Sequence, residues 1–525
     1  MFSWRAAVVL STLVSSGWAV EAPSLANQDP VYLQLRELQP IECFVVENLR
    51  FEKDAGVFLF RRGEVCAVPP VLGRVTSAVF LGEGEFTLQP AAAVPAHARP
   101  YVRVASVQES FGEAVFFFTD GSYRELRGGA KTTPPDPPAA EALRNVRAHL
   151  RAVWERYEST QNLDAEILAG LYNPRRAPFF RAYIKGRKHP GLRFAIDPLG
   201  DSELPAAEEV VLSNDDPEGD QGGVWYLSHL LSELKDGTAS SREEKSTVRA
   251  ESYTIDTTVA GNQRLAGTCT VGFRPLREGE RVVGFELTPT LRVSRVVMDG
   301  KAVPFIQEDR KRDAAFYVVF AEPLNTGKSY AITIHYEGDK VLRKAGGGNF
   351  WVEARESWYP NLNTFRDRAR FDLTFHFPKN YTLVSVGKLE KEWKDGGQNA
   401  SHWVSEVPLP VAGFNLGDYK KKQQDDESTK YSIEGYATTE VPDFLQQSGQ
   451  LLTPSVLNDK AIAEGRASVQ IFTHYFGPLP YGRIAITQQP AMFFGQSWPT
   501  LIYLPLTAYL DPTQRLRTVT ASHAC

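Results

Sequence analysis

Nine histidines are spread along the chain, at His97, His149, His189, His229, His335, His376, His402, His474 and His523. None is followed by Glu, and no two lie four residues apart. The imidazole pair that a helical zinc-hydrolase motif needs is therefore missing. Gly495-Gln496-Ser497-Trp498-Pro499 has the outline of a nucleophile elbow. That elbow needs small residues flanking the Ser, and Pro499 stands where the last Gly belongs. Gly346-Gly347-Gly348 has no Lys-Ser/Thr downstream and reads as a hairpin tip, not a phosphate loop. Asn214 to Asp220 gathers oxygen ligands suited to calcium but lacks the EF-hand spacing, so it reads as a solvated turn. His335 alternates with Ile334 and Tyr336 and reads as an exposed strand residue. Composition and spacing alone yield no active site.

The composition bounds what these residues serve. The 525 residues carry 58 Lys and Arg against 63 Asp and Glu, a net charge of −5. That balance argues against a nucleic-acid binder. Four Cys in so long a chain exclude a disulfide-built scaffold. Arg5, the apolar stretch from Ala6 to Val14 and the small residues Gly17 and Ala19 read as a signal peptide over 1–19. Export is the expectation, either periplasmic or extracellular, with a mature start near Val20. No later run is long and apolar enough for a transmembrane segment. Cys43 and Cys66 share a strand-rich region and can pair, whereas Cys269 reads as a buried thiol in a strand.

The elements point to a mainly β chain with α+β parts. Short β-branched and aromatic runs punctuated by Gly and Asp turns predict an N-terminal β domain over 24–131. The prolines of 132–138 predict a stiff linker. Leu143, Val146, Leu150, Val153 and Tyr157 form one helical stripe, and Leu163 to Tyr172 a second helix. With strands near Phe179 to Ile184, Leu192 to Ile196 and Glu209 to Leu212, they predict a small mixed α/β unit over 139–240. Alternating strands resume over 246–439 and predict an antiparallel sandwich or saddle. Over 440–525, a helix from Leu457 to Phe476 and two strands predict the opening of an incomplete α/β domain, too short to bury a core.

The order of several short motifs has a counterpart. Ser357-Trp358-Tyr359-Pro360 is followed by Arg368-Ala369-Arg370-Phe371-Asp372-Leu373-Thr374-Phe375 and by Phe377-Pro378. Tyr336-Glu337-Gly338 precedes them, and Val386-Gly387-Lys388-Leu389 and Tyr475-Phe476-Gly477-Pro478-Leu479-Pro480-Tyr481 come after. From about Ser246 to Cys525 this succession resembles the aminopeptidase N family of zinc metallopeptidases. The resemblance implies a β-saddle domain over 246–439, the start of a catalytic domain beyond it, a zinc cofactor and a peptide substrate. Residues before about 240 lie outside it.

The departures bear on activity. The family holds the substrate's amino end with a Glu in a Gly-x-Met-Glu-Asn strand. Here Pro490-Ala491-Met492-Phe493-Phe494 is one register and Gly495-Gln496-Ser497-Trp498-Pro499 the other, and neither supplies a carboxylate. The second register makes Gln496 and Ser497 the substrate-binding candidates. Thr520-Ala521-Ser522-His523-Ala524-Cys525 is similar to the lead-in of the zinc motif. His523 then stands at the first metal-ligand position, with Ala524 in place of the general-base Glu. The resemblance thus implies a chain truncated at the zinc motif, with no catalytic residue assigned, zinc not held by this chain and no activity as given. The alternative is a non-catalytic exported β-rich protein that binds a peptide, glycan or protein partner.

Overall fold

The β-branched and aromatic runs between Glu42 and Phe118 pair as successive hairpins. The computed structural model describes residues 24–89, 106–128, 130–134, 137–157, 162–200, 206–215, 222–260, 264–308, 314–346, 348–352, 357–362, 365–441, 453–489 and 495–505. Strands Glu42–Lys53, Gly56–Ala67, Ser77–Leu88 and Val107–Phe118 follow one another antiparallel. Phe180–Gly186, Leu192–Ile196, Val210–Asn214 and Gly223–Ser228 extend the same sheet, and Thr132–Thr133 adds to its other edge. Four steps across a flat sheet would place Leu192–Ile196 roughly 19 Å from Gly56–Ala67. Yet the Phe58 and Phe194 rings are 6.3 Å apart, and those of Phe51 and Phe180 5.7 Å. The sheet therefore curls over a phenylalanine core that also holds Phe60, Phe86, Phe111 and Phe116.

The convex face is covered by helices. Val79, Val115 and Phe117 pack with Ala139, Leu143 and Leu168 of helices Pro137–Tyr157 and Leu163–Tyr172. Pro137 and Pro138 open the first of these, where a missing N–H costs nothing. The segment expected as a linker is thus part strand and part helix start, and one sheet takes strands from both sides of it. Cys43 and Cys66 are cross-strand partners and form a disulfide.

In the middle of the chain, an eight-stranded sheet is built around Val248–Ala260. That strand pairs antiparallel with Arg264–Pro275 and parallel with Arg370–Pro378. Period-two alternation puts Tyr253, Ile255, Phe371 and Phe375 on one buried face. Trp358 and Tyr359 are buried against that face, and the Trp358 indole donates to the Ala412 carbonyl at 2.9 Å. Cys269 is a buried free thiol in Arg264–Pro275. His335 is half-buried and hydrogen-bonds Thr268 at 3.2 Å and Arg295 at 3.1 Å, so it braces the sheet where an exposed residue was expected.

The last sheet crosses residue 440. Tyr419–Asp426 and Tyr431–Thr438 come from before it, and Arg483–Gln489, Leu501–Pro505 and Gln496–Trp498 from after it. Tyr431–Thr438, Arg483–Gln489 and Leu501–Pro505 run parallel. Ile433, Ile486, Ile502 and Leu504 pack under Ile462 and Val469 of the helix Asn458–Phe476. Ala485, Trp498, Leu501 and Tyr503 face the other way and join the central core. The expectation that this region cannot bury a core is corrected: it borrows two strands from the preceding residues and uses the central unit as a wall. Among the described residues no helix is long and apolar enough to cross a membrane.

Candidate functional site

The two substrate-side candidates lie on a short hairpin. Trp498 pairs with Leu501, so Pro499-Thr500 forms a two-residue turn. Thr500 takes φ 68°, a region that favours glycine. Its hydroxyl accepts the Gly387 N–H at 2.8 Å and its carbonyl accepts the Ala485 N–H at 2.9 Å, which hold it there. Gly387 itself has φ 79°, and a Cβ would stand 2.6 Å from the Val404 carbonyl oxygen. The turn is thereby fastened to the Val386-Gly387-Lys388-Leu389 segment that the sequence singled out.

Gln496 and Ser497 point to opposite sides of the sheet. Gln496 pairs with Tyr503 and shares the face turned to the central unit. Its Nε2 donates to Gln489 Oε1 at 2.8 Å. Ser497 pairs with Ile502, on the helix side, and is exposed. The structure thus pairs Gln496 with Gln489 and separates both from Ser497. His523, Ala524 and the alternative register Pro490 to Phe494 lie outside the described residues, as do the leader 1–19 and Asp216 to Asp220.

Gln489 ends a parallel strand, beside the ends of Tyr431–Thr438 and Leu501–Pro505. Ligands in sheets of this kind bind beyond the carboxyl ends of the strands. Amides and hydroxyls form the network there, and the carboxyl groups of Asp418 and Glu440 lie near it, at Thr439 and Gly348. Asn349 and Asn415 donate to the Gln488 carbonyl at 3.1 and 2.7 Å. The Tyr419 hydroxyl donates to Asn415 Oδ1 at 2.6 Å and also contacts Asn349 Oδ1. Gln488 Oε1 accepts the Thr438 N–H at 3.0 Å. The Nε2 groups of Gln488 and Gln489 are buried without a hydrogen-bond partner among the described residues. The two side chains alternate to opposite faces, Gln488 toward the helix and Gln489 toward the central unit beside Gln496. Buried polar groups normally find partners, so the Gln489 donor marks a place where a further acceptor fits.

At the opposite end of the same strands an ion pair locks the sheet to the central unit. Arg483 donates to Glu434 Oε2 at 2.7 Å and to the carbonyls of Ser385 and Gly387 at 3.1 and 2.8 Å. Lys421 donates to Glu434 Oε1 at 2.9 Å. Burial raises the Glu434 pKa, but the Arg483 charge and the bonds from Lys421 and Arg483 outweigh it and hold it below the usual range.

Sequence reasoning missed Gln488 and Gln489. Their one signal is a polar run, Thr487-Gln488-Gln489, closing an otherwise apolar strand. It also missed a His–Glu pair at helical spacing, His229 and Glu233, because only His–His pairs were sought.

No family model matches the chain. No curated protein matches it either. Solved structures similar to part of it include an M1 zinc metallopeptidase from Deinococcus radiodurans, 17% identical, with a TM-score of 0.41 over 52% of this chain and 62% of that one. A mutant of that enzyme bound to a Tyr-Ser-Ala substrate gives 17% identity and 0.41, over 52% and 63%. A two-domain M1 zinc metallopeptidase mutant bound to L-arginine gives 16% and 0.42, over 53% and 64%. The chain spans a little under two thirds of the length of these neighbours.

Proposed function

We propose that this protein is exported and related to the aminopeptidase N kind of zinc metallopeptidase, and that it binds peptides at the Gln489–Gln496 end of its last sheet. The 525-residue chain by itself hydrolyses none. The observation that carries the binding site is the buried Nε2 donor of Gln489, which has no partner among the described residues and closes a parallel strand beside Gln496. Carboxamides offer a donor and an acceptor each, which suits the main chain and amino end of a peptide. A carboxylate would add charge pairing with the amino end, and these amides do not supply it.

The motif order supports the family reading, and the Cys43–Cys66 disulfide suits an oxidising compartment. The zinc that the resemblance implies does not fit the amide cluster, because catalytic zinc takes imidazole, thiolate or carboxylate ligands.

The test uses the chain from Val20 to Cys525, titrated calorimetrically with short peptides bearing free or acetylated amino ends. The same peptides are assayed for turnover with added zinc. Binding without turnover is expected, weakened at least ~10-fold in Gln489→Ala. Unchanged binding in that variant overturns the site, and chelator-sensitive turnover overturns the assignment of inactivity.

A further inference from the structure

Glu209, His229 and Glu233 meet in the N-terminal unit, which the family resemblance does not cover. Val210 and Ser228 are cross-strand partners, so Glu209 and His229, one residue beyond each, emerge at the same end of that ladder. Glu233 follows in the short helix Leu231–Asp236. Nδ1 of His229 lies 3.0 Å from Glu209 Oε2 and 3.8 Å from Glu233 Oε2. One ligand atom from each of the three falls within 4.8 Å of the others. Ligands at the usual bond lengths of a tetrahedral zinc stand about 3.3 Å apart, between the two separations seen.

Two further features separate this cluster from an ordinary ion pair. The first is an orphan atom: Glu233 Oε2 is enclosed and hydrogen-bonds to no described group. The second is support behind each of the other two ligands. Glu209 Oε1, the oxygen turned away from His229, bonds the Lys245 ammonium, which also holds Glu243 at 2.9 Å and the Pro198 carbonyl at 3.2 Å. His229 Nε2 faces Glu208 Oε1 at 3.8 Å. Outer partners of this kind orient metal ligands and select the imidazole tautomer. The Glu209 and His229 side chains are 0% and 3% exposed. Glu208, Glu209, Glu233 and Glu243 here surround one ammonium and one imidazole, and a dication would balance the excess of negative charge.

We propose that Glu209 Oε2, His229 Nδ1 and Glu233 Oε2 bind a divalent transition-metal ion, with a fourth position open to water or another ligand. The site does not use His523 and does not depend on the peptide-binding reading.

The test is equilibrium dialysis of the full chain against zinc chloride, followed by metal analysis, for wild type, His229→Ala and Glu233→Gln. Wild type is expected to hold one more zinc than His229→Ala. Glu233→Gln is expected to weaken that site at least ~10-fold. Zinc should also raise the melting temperature of wild type more than that of either variant. Equal zinc content and equal melting shifts in all three proteins overturn the proposal. Should His229→Ala not fold, Glu233→Gln alone decides, because its side chain is partly exposed and lies outside the sheet.

Discussion

The Trp498 indole lies against the α-carbon of Gly413, so close that a Cβ on that residue would stand 2.5 Å from the ring. This contact seats the Gln496–Trp498 strand on the central unit. Gly413→Ala is therefore expected to cost about 1–3 kcal/mol, the range for overpacking a filled core. Urea unfolding checks this. Adding Trp498→Leu should return part of the loss, since the two residues touch and their effects do not add.

Removing Arg483 leaves the buried Glu434 carboxylate with one cation, Lys421, and the Tyr436 hydroxyl. Arg483→Met is expected to destabilise by about 3 kcal/mol, and the double variant with Glu434→Gln by less. Denaturant curves at neutral pH measure both.

Glu434 also predicts a pH dependence. Its folded pKa lies below the unfolded value of about 4.3. Its contribution is therefore complete above that pH and is lost as pH falls through the folded value. The stability gap between wild type and Glu434→Gln should narrow as pH drops from 5 toward 3, approximate limits set by the unfolded value. A gap that widens on acidification would contradict the sign.

The Cys43–Cys66 bond closes a loop of sequence separation 23 inside the first hairpin. Replacing both residues with Ala is expected to cost about 3 kcal/mol, read as a lower denaturant midpoint. The Phe371–Phe375 core should keep its packing, because it is distinct from the cluster that holds both cysteines, whose buried members in the second half of the chain are Val282, Ile306 and Val319.

Burial pushes the Cys269 thiol pKa far above its ordinary value. In a Cys525→Ser background, the native chain should react with an aromatic disulfide reagent no faster than it unfolds. Rapid labelling without denaturant would place Cys269 elsewhere than in the strand core.

Much of the local structure was legible because its periods are local. Gly56 to Phe60 is a β-branched and aromatic run, Tyr330 to Tyr336 alternates at period two, and both are strands. Leu163 to Tyr172 is a helix as expected, opened by Asn162, whose side chain accepts the Ala165 N–H at 3.1 Å. The pairing of Cys43 with Cys66 was open on sequence and became definite once the strand register set them opposite.

What the sequence by itself determined was the type and order of many elements and the succession of motifs from Tyr336 to Tyr481; the short helices Pro30–Glu37, Ser122–Arg127 and Leu231–Asp236 were not among them. Tertiary structure alone decided which elements share a sheet. It joined strands on both sides of the prolines at 132–138, and it drew Tyr419–Thr438 into the last sheet. It also brought Gln489 to Gln496 and Glu209 to His229 and Glu233. The physical reason is one of range. Side-chain alternation depends on the backbone period of a few residues, whereas partner choice depends on how apolar faces far apart in the chain cover one another. Polar residues that meet through such covering leave no mark in spacing, and the two candidate sites are built from these.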